Sequence, residues 1–421
     1  MSRSATNPFG APPVPPGEVD PMAPELLADP YEGYGRLRER APLLRGRYLD
    51  GTAVWYVTRQ AEVRAVLSDP RFANDPATVA GDADRRVSMT AALGVPPEYA
   101  AYFEQTIIKS DPPDHTRLRR LVSRAFTVRR IAALRPRVEA LTTGLLDDLA
   151  RAGDPADLLE TFAYPLPIAV IGELVGIDEA DRPAWRAAGR ALISMDRERI
   201  GPAVRELVDH VHAVIDRRRH APADDLLSAL IRTHDDDGDR LSDVEMVTMV
   251  LALVFAGHET TAHLIGNATV ALLDHPDKLA VLRADPGLWP AAVKELMRWC
   301  GPALLSQIRY ATVDTELGGV PLHRGDAVLA VLVSANFDPR VYDEPGRLDV
   351  TRLVDAPGDG HVGFGHGPHY CLGAALARQE AEVALPALFD RFPGLALAAD
   401  PAWSPMPGAR RLLALPVHTG R

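Results

Sequence analysis

Between Met246 and Leu273 a single residue, Glu259, carries a formal charge. About 28 residues at 1.5 Å each make a helix of roughly 42 Å, long enough to cross a whole domain or a membrane. Ser242 and Glu245 supply a capping box at its start, with Leu241 and Met246 placed as the hydrophobic staple. A helix that is apolar on every side must be surrounded, either by lipid or by the rest of its own fold. His258, Glu259, His263 and Asn267 in its middle argue against lipid. The expectation is therefore a large, mainly helical body built around this helix, with a smaller β part.

The chain has 421 residues, 47% of them hydrophobic, which suffices for a core that encloses a cofactor. No low-complexity linker divides it, so one domain is expected over residues 25–421, behind a flexible proline-rich stretch at residues 1–24. That stretch lacks both a basic start and an apolar run, so neither a signal peptide nor a membrane anchor is expected. A monomeric cytoplasmic protein is expected. Two cysteines, Cys300 and Cys371, are too few for a disulfide framework or a closed zinc site. A net charge of −11 gives no reason to expect nucleic acid. Against that average, His115 to Arg137 holds eight arginines and no acid. It reads either as a solvated helix face or as a docking surface for an acidic partner and for cofactor carboxylates.

Periodicity marks helices at residues 30–40 and 59–67, a strand at 53–58, and paired strands with turns from Ile308 to Val333 around Gly318 and Gly319. Residues 91–110 are irregular and read as a mobile wall over a pocket. Helical spacing runs on to Arg219, broken by Pro165, Pro167, Pro183 and Pro202. The tail carries short strands around Pro405 and Pro407.

Near the C-terminus stands Phe364-Gly365-His366-Gly367-Pro368-His369-Tyr370-Cys371-Leu372-Gly373. The glycines allow positive φ and close approach of a flat ligand, and a helix from Leu372 to about Leu385 would aim free N–H groups at the Cys371 sulfur. Such a setting is expected to lower the thiol pKa. A buried structural cysteine or a Cys–His nucleophile is the plainer alternative, the latter weakened by the absence of an orienting acid near His369. In the long helix, Ala256-Gly257-His258-Glu259-Thr260-Thr261 combines small residues, where a planar group fits, with an acid and a hydroxyl able to divert a backbone bond. The same segment is superficially like a zinc-protease helix. Its histidines are five apart, so they diverge by roughly 140° and cannot share a metal.

The Phe364 to Gly373 loop resembles, at every fixed position, the haem-ligand loop F-G-x-G-x-[HR]-x-C-x-G of the cytochrome P-450 monooxygenases. Ala256 to Thr260 resembles that family's A-G-x-[DE]-T motif, and Glu295-Leu296-Met297-Arg298 its E-x-x-R helix. The resemblance runs from about Asp29 to the C-terminus. It implies the cytochrome P-450 fold, with haem b held by Cys371 as the axial metal ligand and contacted by Phe364, Gly365, Gly373 and Ala256. His115 and Arg119 match an H-x-x-x-R pair for the propionates, joined by Arg309 and His369. Glu259 and Thr260 would deliver protons. Pro345-Gly346-Arg347 matches P-x-R-F, with Leu348 for the usual Phe, so Arg347 would complete a structural triad with Glu295 and Arg298. Phe337 stands where soluble bacterial members often carry Arg.

By resemblance the chain would use O₂ and electrons from a ferredoxin and its NAD(P)H-dependent reductase, docking at Arg124, Arg129, Arg130 and Arg378. Phe126 to Arg130 and Phe162 to Pro167 look like the branch that tailors macrolides and other secondary metabolites. A bulky hydrophobic substrate, hydroxylated or epoxidised, is expected against Ile107, Ile108, Leu253, Ala256, Leu304, Leu305 and Met406. A steroid or terpenoid hydroxylase, a peroxide-driven peroxygenase and a non-catalytic haem sensor remain open as alternatives.

Overall fold

A computed structural model describes residues 12–79, 95–193, 197–233 and 238–420. The long apolar stretch is one helix, Asp243–Asp274, and the rest of the protein is arranged around it. Its start is the expected capping box: the Glu245 N–H donates to Ser242 Oγ at 3.3 Å, and the Ser242 N–H donates to Glu245 Oε2 at 2.8 Å. Helices Pro165–Val175, Trp289–Cys300 and Ala374–Arg391 pack against it. By length and composition the helix could span a membrane, yet 67% of its most apolar window is buried inside the fold. Protein, not lipid, covers it. Packing is close at Gly266, where a Cβ would lie 2.9 Å from Leu159 Cδ2.

The smaller part is a five-stranded sheet of β1 (Leu43–Arg47), β2 (Ala53–Val57), β3 (Phe72–Ala73), β4 (Leu305–Ala311) and β5 (Ala327–Val331). Its order is β1-β2-β5-β4-β3, with β2 and β5 parallel and the other pairs antiparallel. Every residue of β5 is buried, as a strand covered on both faces requires. A two-stranded hairpin, Thr315–Leu317 with Val320–Leu322, turns at Gly318 and Gly319, both at positive φ.

Several local expectations shift. The proline-rich N-terminal stretch is anchored well before residue 25: the Val19 N–H donates to Arg45 O at 2.8 Å, Arg47 N donates to Val19 O, and Val19 is buried. Residues 1–11 lie outside the described residues, as do 91–94 of the expected wall. Pro165 and Pro183 sit in first turns, where no N–H is needed, and so start helices there; Pro202 lies inside helix Arg197–His220. The tail strands, Ala402–Trp403, Leu412–Ala414 and Pro416–His418, flank Pro405 and Pro407 without including them.

Candidate functional site

The cysteine loop is held by its own backbone. Gly365 and Gly367 adopt φ of +75° and +72°, which L side chains rarely tolerate. Gly367 is also sterically fixed, because a Cβ would lie 2.5 Å from Leu67 O of the helix Gln60–Ser68. The Cys371 N–H donates to Phe364 O at 2.9 Å, and Phe364 is buried beneath. Tyr370 Oη and Arg378 Nη1 both donate to Asp359, which clamps the loop to the following helix. That helix spans Ala374–Arg391, later and longer than expected. Gly373 precedes it, and its backbone N–H favours the ionised form of Cys371.

Cys371 is exposed. Burial nevertheless pushes its thiol up, and the Gly373 N–H and the charges of Arg119 and Arg378 only partly offset this. The expected lowering is thus corrected: the loop presents a thiol, and ligation to a metal is what removes the proton. Among the described residues no three His, Cys, Asp or Glu side chains could hold an ion together. A metal at Cys371 must therefore bring most of its own ligands, as porphyrin iron does.

Beside the loop the expected cationic residues converge. His115 and His369 lie with ring centroids 3.9 Å apart, and Arg119 Nη2 donates to Tyr370 O at 2.9 Å. Arg309 on β4 is buried, with its Nη1 donating to Phe72 O at 3.4 Å. Burial, then His115, Arg309 and Arg119, push His369 down to about 3, and burial brings Arg309 down to about 10. The nearest acid, Asp111, already accepts from the N–H groups of Asn74 and Asp75. Arg119 and Arg309, held partly out of water with neutral His115 and His369 as hydrogen-bonding neighbours, call for carboxylates as partners, which is what haem propionates supply. Asn74, whose amide nitrogen lies 2.5 Å from His369 Nε2, belongs to this group and carried no sequence signal.

On the central helix Thr260 Oγ1 donates to Ala256 O at 2.5 Å, and both residues are exposed on one flank. Glu259 is buried on the other flank, beside His263. Burial would push the Glu259 carboxyl up, but His263, His258 and Arg411 outweigh it and hold the group below its ordinary value.

The family model of cytochrome P450 matches residues 190–285 and 287–413. The chain belongs to the cytochrome P450 family. It is 42% identical over 426 residues to the cytochrome P450 monooxygenase PikC of Streptomyces venezuelae, covering 100% of this chain and 98% of that one. It is 45% identical to the 6-deoxyerythronolide B hydroxylase of Saccharopolyspora erythraea, covering 88% of this chain and 91% of the other. Among solved structures, the Bacillus subtilis 168 bacillaene polyketide synthase cytochrome P450 PksS superposes with a TM-score of 0.86 at 34% identity, over 96% of this chain and 100% of that one. The protein is accordingly a haem-thiolate monooxygenase, and the fold expected from its motifs is the one it has.

In this P450 the E-x-x-R pair is fully buried. Arg298 Nε and Nη2 donate to the two Glu295 oxygens at 2.7 and 2.8 Å, and Nη1 donates to Asn336 O at 2.7 Å. Phe337, the departure from the family pattern, lies with its ring 5.2 Å from the Arg298 guanidinium. Asn336 Oδ1 in turn accepts from Val362 N at 2.9 Å, which ties the pair to the cysteine loop. The third member is not Arg347. That residue is half exposed and pairs with Glu344 and Asp349, while Arg352 Nε donates to Glu295 Oε1 at 3.1 Å and its Nη groups donate to the carbonyls of Asp343, Glu344 and Arg347. The turn after Pro345 sends Arg347 outward and brings Arg352 back. Arg352→Ala should therefore lower stability by about 2 kcal/mol, as expected for hydrogen bonds to a buried charge, and Arg347→Ala by under about 1 kcal/mol, as for an exposed pair. Urea midpoints of the two variants check this, and equal losses would contradict the assignment.

The arginine-rich segment forms helix Asp114–Ala125 and a short helix, Val128–Ala133. Arg124 and Arg129 are exposed, and Arg130 pairs with Asp224 at 3.4 Å. Arg378, expected on the same docking face, is bound to Asp359, with its guanidinium 5.7 Å from the Phe364 ring. The expected pocket residues fall into separate groups. Ile107 and Leu253 pack on the helical core, and Ile108 is exposed. Leu304 is buried in the β-sheet core with Val331 and Val333, and with Met406 it borders a recess toward Leu26 and Tyr34. Leu305, Ser306 and Gln307 line another recess with Tyr48 and Arg411.

Proposed function

We propose that this P450 oxygenates a bulky, largely apolar substrate of the macrolide or polyketide type, by hydroxylation or epoxidation. The observation that carries the reading is similarity along most of the chain to a 6-deoxyerythronolide B hydroxylase and to a P450 of a polyketide synthase. The proposed cofactor is haem b, the proposed electron source a ferredoxin with its NAD(P)H-dependent reductase, and the proposed location the cytoplasm. When bound, the haem supplies O₂ binding and its reductive cleavage. Cys371 would hold the iron, and Arg119, Arg309, His115 and His369 would hold the propionates. Thr260 donates its hydroxyl to Ala256 O on the exposed flank of the central helix, where it would stand beside a bound haem. Glu259, one residue along, is the acid that resupplies protons. Arg124 and Arg129 offer positive charge to an acidic electron donor, so reduction should slow with rising ionic strength. Ile107, Leu253 and Ala256 form the apolar wall on the helical side.

A metabolite library titrated against the resting protein tests the substrate class. Macrolactones and large polyketides should bring a high-spin shift, followed by product with one added oxygen. Shifts with fatty acids or small phenols alone would contradict the class. Thr260→Ala should keep haem and substrate binding but let electrons escape to hydrogen peroxide, so that product per NADPH falls by about tenfold, within the range typical of a lost proton-transfer group. Unchanged coupling would remove Thr260 from the mechanism.

A further inference from the structure

The stretch that leads into the cysteine loop is pinned at nearly every residue. Lys294 Nζ donates to Gly358 O at 3.0 Å, Tyr342 Oη donates to Gly360 O at 2.7 Å, and Tyr370 and Arg378 hold Asp359. The Val362 N–H is bonded to Asn336. What remains is the N–H of Gly363, a buried group that needs an acceptor. It donates to Nδ1 of His361 at 3.0 Å.

A side chain that accepts from the N–H two residues on makes the turn that Asn and Asp make most readily. Here an imidazole nitrogen takes the place of their oxygen, so the hydrogen of the neutral ring lies on Nε2. Burial, opposed by Asp359 and joined by Arg298, Arg378 and Lys294, pushes His361 down to about 4, so the ring is neutral near pH 7 and Nδ1 stays an acceptor. Nε2 is buried and meets no partner among the described residues. The rest of the ring therefore contributes packing: its centroid lies 5.7 Å from that of Phe364.

Gly363 has no slack. A Cβ there would lie 3.0 Å from Met297 O and 3.2 Å from His361 Nδ1, so the backbone is pressed between helix Trp289–Cys300 and the imidazole. Immediately beyond, the loop closes through two backbone bonds, the Gly365 N–H to Val362 O and the Cys371 N–H to Phe364 O, both at 2.9 Å. Val362 and Phe364, which supply these acceptors, are the chain neighbours of Gly363 on either side. A shift of Gly363 is thus passed directly to the residue that bears the sulfur.

We propose that His361 is a positioning residue for Cys371: through Nδ1 it fixes the turn at Gly363, and that turn sets where Phe364 O holds the Cys371 N–H and so where the sulfur stands before the iron. The packing of the ring on Phe364 supports the fold and is separable from the hydrogen bond. This rests on the haem-ligand role proposed for Cys371.

Two substitutions in the haem-loaded protein divide these contributions. His361→Asn keeps an acceptor where Nδ1 stands and gives up the ring, whereas His361→Phe keeps a ring and gives up the acceptor. The urea midpoint reads the fold, and the carbon-monoxide difference spectrum of the dithionite-reduced protein reads the thiolate. His361→Asn should lower the midpoint and keep the red-shifted thiolate band. His361→Phe should stay closer to the wild-type midpoint and yet lose much of that band to an unshifted one. Should His361→Phe fail to take up haem, His361→Gln, whose oxygen extends toward the place of Nε2 and not of Nδ1, should show the same loss. An intact band in the variant without the acceptor, or a loss in His361→Asn as large as in that variant, would overturn the proposal, as would a band that merely follows the midpoint from variant to variant. A wild-type protein without the band would instead refute Cys371 as the ligand, so the two claims fail by different results.

Discussion

Cys371→Ser should abolish oxygenation, and Cys300→Ser should leave it intact. The two cysteines differ in what surrounds them. Cys300 is buried at the end of helix Trp289–Cys300, its Sγ–H donating to Leu296 O at 3.1 Å, with burial and Glu295 pushing its thiol further up. It has neither access nor a reason to ionise. Cys371 is presented by two glycines at positive φ, with the Gly373 N–H, Arg119 and Arg378 favouring its ionised form. A serine hydroxyl fits the same loop without strain but remains neutral and cannot donate to iron as a thiolate does. Product formation in Cys371→Ser should drop to background, measured with a surrogate ferredoxin and reductase, while Cys300→Ser, a near-isosteric change away from the loop, should keep turnover. Turnover surviving in Cys371→Ser would sink the assignment.

Arg298→Leu is expected to be the most destabilising single change in the structural scaffold. Glu295 and Arg298 have fully buried side chains, and removal of one partner leaves a charge in a low-dielectric site. The typical cost is about 3–5 kcal/mol, a large share of the roughly 5–15 kcal/mol that holds a domain together. Arg352 retains one bond to Glu295, which limits the loss but does not replace the bidentate pair. The effect also travels: without Arg298 the Asn336 carbonyl loses its donor, and Asn336 is what holds Val362 at the root of the cysteine loop. Haem retention should therefore fall along with the urea midpoint. A variant with wild-type midpoint and full haem content would show that the buried pair is not a support.

What was legible in the sequence was what is decided locally. The central helix announces itself by its capping box and its nearly uncharged run, and the cysteine loop by glycines whose backbone conformation no other residue adopts easily. The cationic cradle was readable because His115 and Arg119 share a helix face, although their meeting with Arg309 and His369 depends on β4 and the loop coming together. Partners chosen by tertiary path were not legible. Arg347 and Arg352 are five residues apart on one irregular segment, and only its turns decide which reaches Glu295. Tyr164 and His263 are 99 residues apart and meet because two helices pack side by side. The pocket residues diverged because Leu304 and Leu305 adjoin a sheet, where neighbouring side chains point to opposite faces. The thiol pKa was misjudged because a helix start is only one influence, and burial opposes it.

The most direct test of the central claim is the carbon-monoxide difference spectrum of the dithionite-reduced, haem-loaded protein. A thiolate at the axial position gives the strongly red-shifted absorption band, which should be present in the wild type and in Cys300→Ser and absent from Cys371→Ser. A wild-type spectrum without that band, or a Cys371→Ser spectrum that keeps it, would contradict Cys371 as the haem ligand.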